Sequence, residues 1–171
     1  TNCSSVATMA LPMSGKYYFE YLCVASGGVD YNNCGVVATA GSKPVRLYQN
    51  SGNKYNGSAT SYGSSWTAND LIGVAVDMSS GKIWFAKNGT WQASGDPAAG
   101  TNAAFTNLSG SVRPVYDQQL TNAVTISCNF GQRPFAYTPP TGYVALNTQN
   151  LPAPTISNGA TVMAASTYTG T

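Results

Sequence analysis

Asn88-Gly89, set between the alternating run Lys82 to Lys87 and Thr90-Trp91, constrains the fold of this chain more than any other feature. Both central residues of a type I′ turn need positive φ, which Asn and Gly adopt at little cost, so the dipeptide predicts a two-residue hairpin. Immediately upstream, Leu71 to Asp77 reads as an apolar strand and Met78 to Gly81 as a turn, with Gly where positive φ is cheap. Three consecutive antiparallel strands are therefore expected between residues 71 and 91.

The same grammar extends in both directions. From Lys16 to Ala25, Tyr17, Phe19, Tyr21 and Cys23 alternate with Tyr18, Glu20, Leu22 and Val24, a period-two pattern that predicts a long strand with one fully and one partly buried face. Further strands are expected at Gly35 to Ala40, Val45 to Gln49, Val112 to Asp117 and Ala123 to Phe130, with loops at Gly27 to Asn33 and around Asp96-Pro97 and, from Asn50 to Asn69, a functional loop with one or two short strands. No amphipathic helix of useful length is legible, so the fold class is all-β. Five prolines between Pro134 and Pro154 predict an extended surface path, and Thr155 to Thr171 has too few apolar anchors for a domain.

Composition narrows the chemistry. Charged residues make up 8% of the 171 positions where about 25% is usual, and the net charge of +2 is scattered, which argues against nucleic-acid binding. With no His, the Ser-His and Cys-His nucleophile pairs and the usual His-based metal sites are excluded. The six acids are Glu20, Asp30, Asp70, Asp77, Asp96 and Asp117, no two closer than seven residues, so no ready glycosidase pair exists. No catalytic residue, metal or cofactor is expected. Glu20 reads as a structural acid of the sheet, and Asp70 and Asp77 as turn-capping acids. Cys3, Cys23, Cys34 and Cys128 allow three pairings; Cys23 and Cys128 lie in apolar runs, which favours buried thiols. No signal segment or membrane span is legible.

Four ordered motifs resemble the SPRY domain. Gly15-Lys16-Tyr17-Tyr18-Phe19-Glu20 is similar to its opening strand, with Phe19 where Trp is common. Asp70 to Asp77, Gly81 and Ile83 to Gly89 are similar to its central hairpin, and Arg113-Pro114-Val115 and Asn129-Phe130-Gly131 to its closing strands. The resemblance runs from about Gly15 to Phe135 and implies a bent antiparallel, concanavalin-like β-sandwich. Three segments are expected: 1–14 as an N-terminal segment or first strand, 15–135 as the sandwich, and 136–171 as a Pro-rich linker toward a further domain.

The Thr/Asn/Ser/Ala-rich loops and the Pro-rich tail look more like SPRY-like modules of large bacteriophage virion proteins than those of eukaryotic ubiquitin ligases. That likeness implies a non-catalytic module of a virion, on a tail, fibre or capsid surface, within a larger polypeptide in a homo-oligomeric assembly. Its partner would be a host-surface glycan or protein, with neighbouring virion proteins as one alternative and an intracellular peptide, as for an adaptor, as the other. SPRY domains bind through loops at one side of the sandwich. Aromatic residues in polar loops suit such contacts, so the candidate ligand-binding residues are Tyr48, Tyr55, Tyr62, Trp66, Asp117, Gln118 and Gln119.

Overall fold

The computed structural model describes residues 2–25, 32–39, 45–119 and 124–151; Asp30 and the tail beyond Leu151 lie outside the described residues. The chain runs β1 (Asn2–Val6), β2 (Lys16–Ala25), β3 (Asn32–Ala38), β4 (Val45–Gln49), β5 (Asn53–Tyr55), β6 (Ala59–Ser61), β7 (Leu71–Asp77), β8 (Lys82–Lys87), β9 (Thr90–Trp91), β10 (Val112–Gln119), β11 (Thr125–Asn129) and β12 (Val144–Ala145). Two antiparallel sheets result, ordered β1-β10-β3-β4-β5-β6 and β11-β2-β7-β8-β9, with β12 added in parallel beside β2. This is the all-β class that the alternation predicted, in the sandwich form that the resemblance implied.

Alternation decides what lies between the sheets. Phe19, Tyr21 and Cys23 of β2, Ile72, Val74 and Val76 of β7, and Ile83 and Phe85 of β8 meet Cys34, Val36, Ala38, Tyr48 and Val112 from the other sheet in one continuous core. Each large apolar side chain buried there contributes about 1.5 to 3 kcal/mol. The opposite face of β2, β7 and β8 supplies Tyr18, Ala75 and Trp84, which pack with Tyr143 and, at the margin, Trp91 and Phe135.

The structure revises three local expectations. Asn32 and Asn33 belong to β3 rather than a loop, and that strand ends at Ala38 rather than Ala40. Gln118 and Gln119 extend β10 past Asp117 rather than forming a loop, because β3 continues the ladder to Gln118 on one side and β1 to Gln119 on the other. The stretch from Pro134 to Leu146 does more than run over the surface: Tyr143 and Leu146 are buried, and the Leu146 amide donates to the Tyr18 carbonyl.

Candidate functional site

Three of the candidate aromatics are core residues. Tyr48 is fully buried, stacked on Phe85 with ring centroids 5.6 Å apart, and it meets Tyr62 edge-on and Trp66 at a tilt. Its hydroxyl donates to the Ser64 carbonyl. Trp66 is 4% exposed, and Tyr62, half-buried, accepts the Phe85 amide proton on its hydroxyl oxygen. Burial pushes the Tyr48 and Tyr62 hydroxyls up, Tyr62 to about 12. The expectation of a ligand-facing surface is corrected for these rings, and the reason is area. An aromatic ring buries about 150 to 250 Å², and the Ser/Thr/Asn-rich stretch from 50 to 69 offers little else to hold it on the core. Gln92 completes the anchoring, its buried carbonyl accepting the Ser64 amide at 2.8 Å.

Tyr55 behaves differently. It pairs with Leu47 across β4 and β5, out of phase with the inward-facing Tyr48, and is half-buried on the outer face of the first sheet. Leu47 and Val115 stand on that same outer face at 1% and 3% exposure. Between them is Gly35, where a Cβ would come within 2.1 Å of the Arg46 carbonyl oxygen, so only glycine lets β4 lie this close.

One register step away is a polar row. Ser4, Asp117, Asn33 and Gln49 oppose one another across β1, β10, β3 and β4. Ser4 donates its hydroxyl proton to Asp117 Oδ1, and Asn33 Nδ2 donates to Asp117 Oδ2 at 3.5 Å. Asn33 is 6% exposed, yet its Oδ1 has no hydrogen-bond partner. A buried carbonyl without a donor costs about 1 to 3 kcal/mol. Tyr55 and Asp117 share the face but are three strands apart, roughly 14 Å at ordinary spacing.

Gln118 is on the opposite phase, paired with Asn32, whose Oδ1 accepts the Tyr116 hydroxyl proton at 2.9 Å. Gln118 Oε1 and Asn32 Nδ2 are both buried without partners. Gln119 ends β10 opposite Asn2. The structure thus brings Asp117, Gln118 and Gln119 together at one sheet end and leaves Tyr48, Tyr62 and Trp66 in the core. Ser4, Asn33 and Gln49 were missed by sequence reading. Their only signal is a polar residue at an alternating position beside an apolar run.

The remaining described acids have structural partners. Glu20 is 2% exposed and accepts from the Tyr18 hydroxyl, from Asn129 Nδ2 and from the Ala136 and Tyr137 amides. Asp77 accepts the Ser79 and Ser80 amides, and Asp96 accepts the Ala99 amide. Among the described residues no three His, Cys, Asp or Glu side chains form a group able to hold a metal ion. Cys23, Cys34 and Cys128 are free thiols, and burial pushes the Cys34 thiol well above the ordinary range.

Residues 27–133 match the family model of the SPRY domain. Similar proteins include Ran-binding protein 10 of Danio rerio, 28% identical over 144 residues that cover 77% of this chain and 22% of that one. Ran-binding protein 9 of Homo sapiens is 29% identical over 77% of this chain and 18% of its own length. The Ran-binding proteins 9/10 homolog of Drosophila melanogaster is 26% identical over 72% and 13%. The chain spans about a fifth of the length of the curated relatives it matches. These relatives overturn the expected virion location: they are Ran-binding proteins of animals, not virion components, and nothing in them supports a host glycan as ligand.

Proposed function

Because this chain belongs to the SPRY domain family, we propose that it is a non-catalytic protein-interaction module that works as an intracellular peptide-binding adaptor. The half-buried positions of the outer face, Asp117 of β10 and Tyr55 of β5, are its binding surface. The observation that carries this reading is the polar row: the half-buried Asp117 carboxylate, oriented by Ser4 and Asn33, stands near the strand end as an acceptor for hydrogen-bond donors. An extended peptide supplies such donors from its backbone and side chains. Half-buried Tyr55 gives an aromatic contact farther along the same face, and Gln119 ends β10 two residues beyond Asp117. We place the working boundary of the module past residue 135, since Tyr143 and Leu146 pack on β2 and its neighbours.

The relatives' names give Ran as their partner, so Ran is the first protein to test. Wild type, Asp117→Ala and Tyr55→Ala would be titrated with purified Ran and screened against an immobilised random peptide library. Retention of Ran or of one peptide class, weakened about tenfold in Asp117→Ala at unchanged melting temperature, is the expected result, a loss of about 1.4 kcal/mol. Wild-type protein that retains neither overturns the reading, as does retention indifferent to both substitutions.

A further inference from the structure

The open side of the sandwich, where β1 ends one sheet and β11 the other, carries a separate feature. Among the described residues no strand pairs with the outer edge of β11. Its five residues, Thr125 to Asn129, contain neither charge nor proline, two of the devices that blunt an exposed edge, and its one register shift falls between Thr125 and Ile126, at the start of the strand. Across from Ile126, Cys23 directs its own N–H and C=O to Asp70 and Asn69 on the β7 side. By alternation the peptide groups of Ile126 and Cys128 turn to the free edge, while their side chains turn toward the core.

One end of that edge is already satisfied by an amide. Gln132 Nε2 donates to the Cys128 carbonyl at 2.8 Å, and Gln132 Oε1 accepts the Phe130 amide proton at 2.6 Å. Those are bonds that a peptide group of a neighbouring strand makes. One step back, the Ile126 carbonyl and the Cys128 amide face the same way. Beside them is a cavity of about 210 Å³ lined by Ser5, Tyr116, Gln118, Val124, Ile126 and Cys128. None of these side chains is charged, and the Gln118 carbonyl among them is buried and unpaired.

We propose that the outer edge of β11 is a second binding site, which adds an extended segment of a protein partner as a further strand. The occupant's charge is set by complementarity. The uncharged cavity takes an apolar side chain at every second position of the segment and an amide to meet Gln118, while the alternate positions meet Ser127 and the Arg133 guanidinium bonded to it at 2.8 Å, which favours a polar or acidic residue there. This site is distinct from the Asp117 face and stands or falls apart from it.

The test uses the whole 171-residue chain against an immobilised random peptide library, comparing wild type, Ile126→Pro and Asp117→Ala. Proline removes the edge N–H and blocks strand addition, so peptides with alternating apolar residues should be retained by wild type and weakened about tenfold in Ile126→Pro. Their binding should stay within about twofold in Asp117→Ala, a site that shares no contact with the edge. The reverse pattern, or no such peptide class, overturns the proposal while leaving the Asp117 face to be judged separately. Should Ile126→Pro not fold, alkylation of half-exposed Cys128 in wild type, followed by mass spectrometry, decides. Slowing of about tenfold by a retained peptide supports the site, because access to a covered thiol falls with burial, and an unchanged rate overturns it. Self-association of wild type through this edge would assign it to a second copy and also overturn the proposal.

Discussion

Glu20 shows how a single side chain can fix a distant segment. Its carboxylate is 2% exposed and receives protons from the Ala136 and Tyr137 amides at 3.1 Å each, which holds the stretch after Pro134 against β2. Tyr18 and Asn129 fill the remaining acceptor positions, and Phe135 then sits edge-on to Tyr18 with centroids 4.9 Å apart. Glu20→Gln places an NH₂ group where only acceptors are wanted, leaving at least one buried donor unmet. The expected loss is about 1 to 3 kcal/mol, read as a lower urea midpoint at unchanged slope. An unchanged midpoint would mean that the tether is unimportant. Tyr48→Ala belongs at the same scale. The ring fills core space against Phe85, so its removal should cost about 3 to 5 kcal/mol and says nothing about ligand binding.

At the scale of elements, the hairpin from β7 to β9 is where local sequence and structure agree most closely. Asn88 and Gly89 adopt φ of 47° and 79°, as a type I′ turn demands. Asn88 does more than turn: its Oδ1 accepts the Leu71 amide proton, and its Nδ2 donates to Asp70 Oδ1 at 2.7 Å. Asp70 also accepts the Thr67 amide proton and pairs with Lys87 at 3.1 Å. Burial alone would raise the Asp70 carboxyl, but these hydrogen bonds and the lysine charge outweigh it and hold the group below its ordinary value. A depressed carboxyl stabilises the fold above the unfolded-state value near 3.9, and that stability is lost as pH falls below it. Wild type should therefore lose stability on acidification from about pH 4 downward, and Asp70→Asn should lose less over that range. Parallel urea midpoints for the two proteins would refute the clasp. Gly89→Ala is predicted to be worse than an ordinary turn substitution, since its Cβ would meet Tyr137 Cδ1 at 2.5 Å in addition to the unfavourable φ.

For the whole molecule, legibility followed range. Strands whose faces differ, such as β2 and β7, could be read from alternation because burial on one face leaves a period of two. The pairing of β10 with both β1 and β3 could not, because it joins residues more than seventy positions apart and runs into a local sequence, Asp-Gln-Gln, that reads as loop. The same limit misplaced Tyr48 and Trp66: a loop aromatic and a core aromatic look alike until the other sheet is present. One collective property of that packing can be measured. Burial pushes up Tyr17, Tyr18, Tyr21, Tyr48, Tyr62, Tyr116 and Tyr143, seven of the eleven tyrosines, with Tyr62 at about 12. In the unfolded chain each ionises near 10. A raised folded value means that the stability tied to the neutral ring is complete below pH about 10 and is lost as pH climbs toward the folded values. The unfolded state gains charge first, so alkali should unfold the sandwich in one cooperative step above about pH 10. Tyrosinate absorbance and loss of the β-sheet circular dichroism signal should then share one midpoint. A smooth rise in absorbance near the ordinary tyrosine value, with the β signal intact, would show that these rings are open to water and that the core assigned to them is wrong.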